Sequence, residues 1–159
     1  MRDQWQRRLN RWLQWRPFNQ IMRLGIQLLV PRQRVGVSLV ALDEQHRVYL
    51  LNHVFHPFAP WGLPGGWLQR NEPPQAGLQR ELREETGLSV DVGPVLYVHQ
   101  EGQPTHIGIA FLGKLGDETE KLSLEIVASG WFEPDALPDS LLPFSRQAIA
   151  AARQHYSVS

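Results

Sequence analysis

The chain has 159 residues, long enough for one apolar core and short for two. Hydrophobic residues make up 42% and charged residues 20%, a balance that excludes a disordered chain. The absence of cysteine removes disulfides, thiolate nucleophiles and Cys-ligated zinc together, and fits a reducing, cytoplasmic interior. No apolar run approaches the roughly 20 residues of a membrane span.

The zero net charge hides an asymmetry. Residues 1–34 hold eight of the 16 basic residues, all arginine, and one of the 16 acids, Asp3. A basic leader, residues 1–33, therefore precedes a mildly acidic body, residues 34–159. In the leader Trp5, Leu9, Trp12 and Leu13 share one helical face while Arg7, Arg8 and Arg11 take the other. Pro17 interrupts this pattern, and Phe18, Ile21, Met22, Ile26, Leu28 and Leu29 form a second segment that Pro31 ends. This basic amphipathic extension admits three readings. It rests on anionic lipid through residues 1–30 as a peripheral membrane contact, it packs on the body or forms a homodimer contact, or it is a transit peptide. Asp3 and the absence of serine before Ser38 count against the last. Nucleic-acid binding is not expected, since net charge is neutral and no recognition motif is present.

From Val35 the pattern changes. Val35, Val37, Leu39 and Ala41 alternate with Gly36, Ser38, Val40 and Leu42, which predicts a strand buried on both faces. Asp43–His46 is a polar turn, and residues 47–51 read as the returning strand of a hairpin. Loop signals follow, from His56-Pro57 to Leu63-Pro64-Gly65-Gly66. Residues 73–86 fit a helix opened by Pro73-Pro74 and closed by Gly87. Strands are expected at 89–100 and 105–114, a short one ends in Trp131-Phe132, and an alanine-rich helix covers 143–155.

In the helix over 73–86, Glu81, Glu84 and Glu85 lie at positions i, i+3 and i+4 and so point the same way, with Arg80 at the edge of their face. Clustered carboxylates repel, and a hard cation such as magnesium, which takes oxygen ligands from carboxylates, water and phosphate, would relieve them. By charge patterning alone the same stretch would be a solvated helix face laced with ion pairs.

The wider spacing decides between these. Gly66, Glu72, Arg80, Glu81, Leu82, Glu84, Glu85, Gly87 and Leu88 match all nine fixed positions of the Nudix box, so residues 34–155 resemble the Nudix hydrolase family. A chance match in a chain of this length is on the order of one in ten million. The resemblance implies an α/β fold, a Nudix-like α/β/α sandwich with a mixed sheet. It implies Mg2+, with Mn2+ as a substitute, held by Glu81, Glu84, Glu85 and the Gly66 carbonyl. Glu84 and Glu85 are then catalytic, while Glu72 and Arg80 hold the acidic helix and loop in place. Glu125 stands six residues before Trp131, the offset at which some relatives carry a general base, and Glu118 and Glu120 compete for that role. Position 77 is usually alanine in relatives, and Gly77 here should soften the helix at a cost of roughly 0.5–1 kcal/mol.

The implied reaction is hydrolysis of the pyrophosphate linkage of a nucleoside diphosphate derivative, a small-molecule nucleotide. Pro104, 16 residues beyond Leu88, points weakly to ADP-ribose or a nucleotide sugar. Trp61 and Phe58 are candidates to stack on a base, although each alone reads more simply as a packing aromatic. His53, His56, His99 and His106 show no metal-ligand spacing. The alternatives are a housecleaning nucleoside triphosphate pyrophosphohydrolase and a catalytically silent nucleotide-binding module on the same fold.

Overall fold

A computed structural model describes residues 20–22, 24–25, 32–55, 58–102 and 105–158. The chain divides into two compact units, Met1–Arg32 and Gln33–Ser159. In the first, residues 20–22 and 24–25 are helical, and the rest of the expected leader helices lies outside the described residues.

The second unit contains seven strands and two helices in the order β1 (Arg34–Ala41), β2 (Val48–His53), β3 (Trp61–Gly62), β4 (Gly65–Trp67), α1 (Pro74–Thr86), β5 (Val90–Glu101), β6 (His106–Leu115), β7 (Ile126–Phe132) and α2 (Pro143–Val158). Four strands form a mixed sheet in the order β4-β1-β6-β5, in which β1 and β6 are parallel. The other three form an antiparallel sheet in the order β3-β2-β7.

The alternation along β1 sorts its side chains between two cores. Val37, Leu39 and Ala41 join Tyr49, Leu51, Phe111 and the α1 residues Leu78 and Leu82. On the opposite face Val40 joins Val48, Leu50, Ala110 and the α2 residues Phe144, Ala148, Ile149 and Ala152. Helices on both sides of the strands make an α/β/α sandwich, as the doubly buried pattern of β1 requires.

The hairpin expected over 35–51 is not formed. Asp43 does close the turn: its Oδ1 accepts the amides of Gln45 at 3.0 Å and Arg47 at 2.8 Å. Beyond the single bridge between Leu42 and Val48, however, the two strands enter different sheets. Both faces of each are apolar, so each gains more from its own pair of neighbours than from the other. The loop expected over 56–66 also contains β3 and β4, short strands on either side of Leu63-Pro64 that β2 and β1 pair with. Two or three residues are too few to show a period.

Pro73 opens α1 in an extended conformation, with Pro74 in the first turn, where a missing amide costs little. Gly87 ends the helix at φ 74°, in the left-handed region, and donates its amide to the Arg83 carbonyl at 3.0 Å. Gly77 proves to be more than a soft spot. A Cβ there would stand 2.3 Å from Leu68 Cδ2 and 3.0 Å from Glu72 Oε2, so Leu68 occupies the space that an alanine methyl would need. Overpacking typically costs about 1–3 kcal/mol and outweighs the gain in helix propensity. Gly77→Ala should therefore lower the thermal midpoint by about 2–4 °C. The same change made beside Leu68→Ala should raise it, and equal shifts in both backgrounds would show that Leu68 is not the obstacle.

Candidate active site

The acidic face of α1 meets the two glycines that open β4. A Cβ on Gly66 would lie 2.5 Å from the Glu81 carboxyl carbon, so the missing side chain is what lets this carboxylate rest against the backbone. Gly65 has φ 142° and a Cβ there would strike the Val37 carbonyl at 2.1 Å, so only glycine fits. Its amide donates to Glu85 Oε2 at 3.0 Å.

Arg80 gathers the other acids. Its Nε and Nη2 donate to the two oxygens of Glu72 at 2.8 and 2.9 Å, and Nη1 donates to Glu81 at 2.8 Å and Glu84 at 3.2 Å. Nη2 also reaches the Trp67 carbonyl at 3.1 Å, which ties α1 to β4. The bidentate guanidinium holds the Glu72 carboxyl down at about 2, and the Gln69 amide contributes. Glu72 and Arg80 thus brace the helix against the loop.

Glu85 is the strained member. Its side chain is 12% exposed. Burial, with the charges of Glu81, Glu125 and Glu84, pushes its carboxyl up to about 8 despite the Gly65 amide. Glu125 arrives beside it because the β6–β7 loop is docked on the end of α1. Lys121 and Ser123 donate their amides to the Thr86 and Glu85 carbonyls at 2.7 and 2.8 Å, and Val54 donates to the Glu125 carbonyl at 2.9 Å. These bonds satisfy two carbonyls that a helix end leaves without intrahelical partners. Glu118 and Glu120 are engaged elsewhere, with the Ser89 amide at 3.3 Å and with Tyr49 and Ser129 respectively. Burial and the bond to Glu120 push the Tyr49 hydroxyl up, so it remains a donor.

A cavity of about 300 Å³ borders this cluster. His53, 3.7 Å from Glu85 through Nδ1, lines one end, and Glu101 and His106 line another part of it. Trp61 lines the cavity and packs edge-on against Phe132 at 4.8 Å. Phe58 is 95% exposed and is not part of the lining, while Pro104 lies outside the described residues. Sequence reasoning missed His53, Glu101, His106 and Tyr49. Each stands alone in the chain, and only strand pairing brings it to the site.

A hard divalent cation suits these residues. Every donor is a carboxylate or carbonyl oxygen, and Gly66 leaves room for Glu81. Like charge crowds a buried carboxylate that lacks a cationic partner of its own kind, Arg80 being turned to Glu72, Glu81 and Glu84. Among the described residues no three acidic or histidine side chains already converge on one point. Glu81 and Glu84 turn to Arg80, while Glu85 turns to Gly65.

An α/β/α sandwich with this acidic helix against a glycine-rich strand defines a class, and the comparisons agree with it. The chain belongs to the Nudix family: the NUDIX domain model matches residues 32–152. It is a hydrolase of phosphorus-containing acid anhydrides, and hydrolases of this family generally use divalent metals. A MutT-like protein of Streptomyces ambofaciens is 30% identical over 111 residues, covering 70% of this chain and 71% of that protein. An RNA pyrophosphohydrolase of Zymomonas mobilis is 24% identical over 148 residues, covering 79% of this chain and 96% of that protein. The crystal structure of a MutT Nudix hydrolase from Burkholderia pseudomallei is similar with a TM-score of 0.67 at 26% identity, covering 76% of this chain and 98% of that one.

The crowding of Glu85 has a measurable consequence. Its folded value near 8 lies above the ordinary 4.5, so the native state keeps the proton between them and stability falls as pH rises across that window. In metal-free protein at pH 9, Glu85→Gln should melt about 3 °C or more above the wild type, and the difference should vanish near pH 4. A parallel pH dependence in the two proteins would contradict this reading of the cluster.

Proposed function

We propose that this chain is a magnesium-dependent hydrolase that cuts the diphosphate linkage of a nucleoside diphosphate derivative, with manganese as a substitute metal. One observation carries the reading: Glu81, Glu84 and Glu125 crowd a buried Glu85 beside a cavity of about 300 Å³. Such an arrangement costs stability in the empty protein and is useful only where positive charge and a phosphate chain are bound. Glu81, Glu84 and Glu85, with the Gly66 carbonyl, would hold the ion. Bound there, magnesium bridges phosphate oxygens, neutralises developing charge and lowers the pKa of water.

The remaining work falls to the chain. Glu125, held by its loop anchors, takes the proton of the attacking water on a carboxylate oxygen. Arg80 and Glu72 keep α1 and the β4 loop in register. Trp61 forms an apolar wall that keeps bulk water from the bound nucleoside. The products are a nucleoside monophosphate and a phosphorylated remainder. ADP-ribose rests on Pro104 alone, and no described residue favours adenine. Residues 1–33 are read as an accessory basic helical extension of a cytoplasmic enzyme, so a chain lacking them should keep its turnover of soluble substrate.

The test is product release from ADP-ribose, nucleotide sugars, dinucleotides and nucleoside triphosphates, with and without magnesium. Magnesium-dependent cleavage of a diphosphate derivative is expected, and Glu85→Gln should lower kcat by about 10²–10³ or more while the fold persists. Full activity in a chelator, or a wild-type rate in the Gln variant, would sink the proposal.

A further inference from the structure

The cavity beside the carboxylate cluster has a second acidic wall, and a substrate made of phosphates gives no reason for one. Glu101 and His106 close the β5–β6 hairpin as register partners, and Glu101 Oε1 lies 2.9 Å from His106 Nε2. Both side chains are largely covered, at 24% and 13% exposure. Glu101 Oε2 has no hydrogen-bond partner among the described residues, and no buried polar atom there is left unsatisfied, so this oxygen is accessible.

The floor of the cavity here is glycine. Gly36 and Gly108 are register partners on β1 and β6, and both line the cavity. A Cβ on Gly108 would meet Glu101 Oε1 at 2.8 Å and Phe144 Cε2 at 2.7 Å, so glycine is what lets both side chains settle onto the sheet. Trp67 stands edge-on to His106 at 4.7 Å. A side-chain-free floor between two aromatic groups, with a carboxylate at its rim, suits a flat heterocycle that presents donors at its edge.

Register also sets the distance. His106 pairs with Arg34 and Gly65 with Ser38, so four residues of β1, about 13 Å of extended chain, separate the level of Glu101 from that of Glu85. That span accommodates a nucleoside whose phosphates lie at the Glu85 end and whose base lies at the Glu101 end.

We propose that Glu101, oriented by His106, selects the nucleobase, and that the base it selects is guanine. An ionised carboxylate only accepts hydrogen bonds. Guanine places its N1–H and N2–H donors side by side and can fill both oxygens. The adenine and cytosine amino groups are flanked by a ring-nitrogen acceptor, and the uracil imide by two carbonyls, each of which the carboxylate repels. A buried acceptor left without its donor is costly, and this is how such a site discriminates. The inference rests on the nucleotide reading above and narrows it to guanosine diphosphate derivatives.

Calorimetric titration of the full chain with GDP, ADP, CDP and UDP in magnesium tests it without turnover. GDP should bind at least tenfold more tightly than the other three. Glu101→Gln should erase that margin by weakening GDP alone, with an unchanged thermal midpoint as the check on folding. His106→Asn, which removes the orienting partner, should narrow the margin while leaving ADP binding as it was. Equal affinity for the four diphosphates would overturn the role of Glu101 and leave the hydrolase reading standing, as would a GDP preference that survives in the Gln variant. Failure of all four to bind would overturn both.

Discussion

One guanidinium organises the acidic side of this protein. Arg80 carries a single positive charge, yet it bonds to Glu72, Glu81 and Glu84 and to the Trp67 carbonyl. Its planar fork is what allows one side chain to serve partners on a loop, a strand and its own helix. Without it, α1 would present three carboxylates on one face with nothing nearby to hold them to β4. Arg80 nevertheless leaves Glu85 unserved. That carboxylate receives one amide bond and bears the repulsion of Glu81, Glu125 and Glu84 in a buried setting. The fold therefore retains an electrostatic conflict, and the family chemistry resolves it with a divalent metal.

Backbone close approach is the second constraint. Gly65 and Gly66 let β4 lie against β1 on one side and the Glu81 carboxyl on the other, while Gly108 does the same for Glu101 and Phe144. Carboxylates at two places thus reach the sheet only because side chains are missing. The loop before β7 completes the site by a different means. Its amides bond to the free carbonyls at the end of α1, and this docking delivers Glu125 to Glu85 across 40 residues of chain.

Much of this was legible from the residues in order. The acidic face of α1 is contiguous, with helical spacing and its own start and stop signals, so local rules suffice for it. The two-faced apolar run of β1 likewise announces a central strand. The hairpin over 35–51 was misread because a turn and two apolar runs look alike whether the runs pair with each other or part into separate sheets. Gly77 was misread as a soft position because its neighbour Leu68 is nine residues away and meets it only after folding.

The sequence by itself determined the family, the helix that bears the carboxylates and the identity of the acids crowded there, because these depend on spacing within a single element. Tertiary structure alone decided which lone residues matter. His53 reaches Glu85, Glu101 reaches His106 and Gly108, and Tyr49 reaches Glu120 through strand pairing and sheet packing. Contacts of that kind join residues far apart in the chain, and short-range patterns of residue type carry no signal of them.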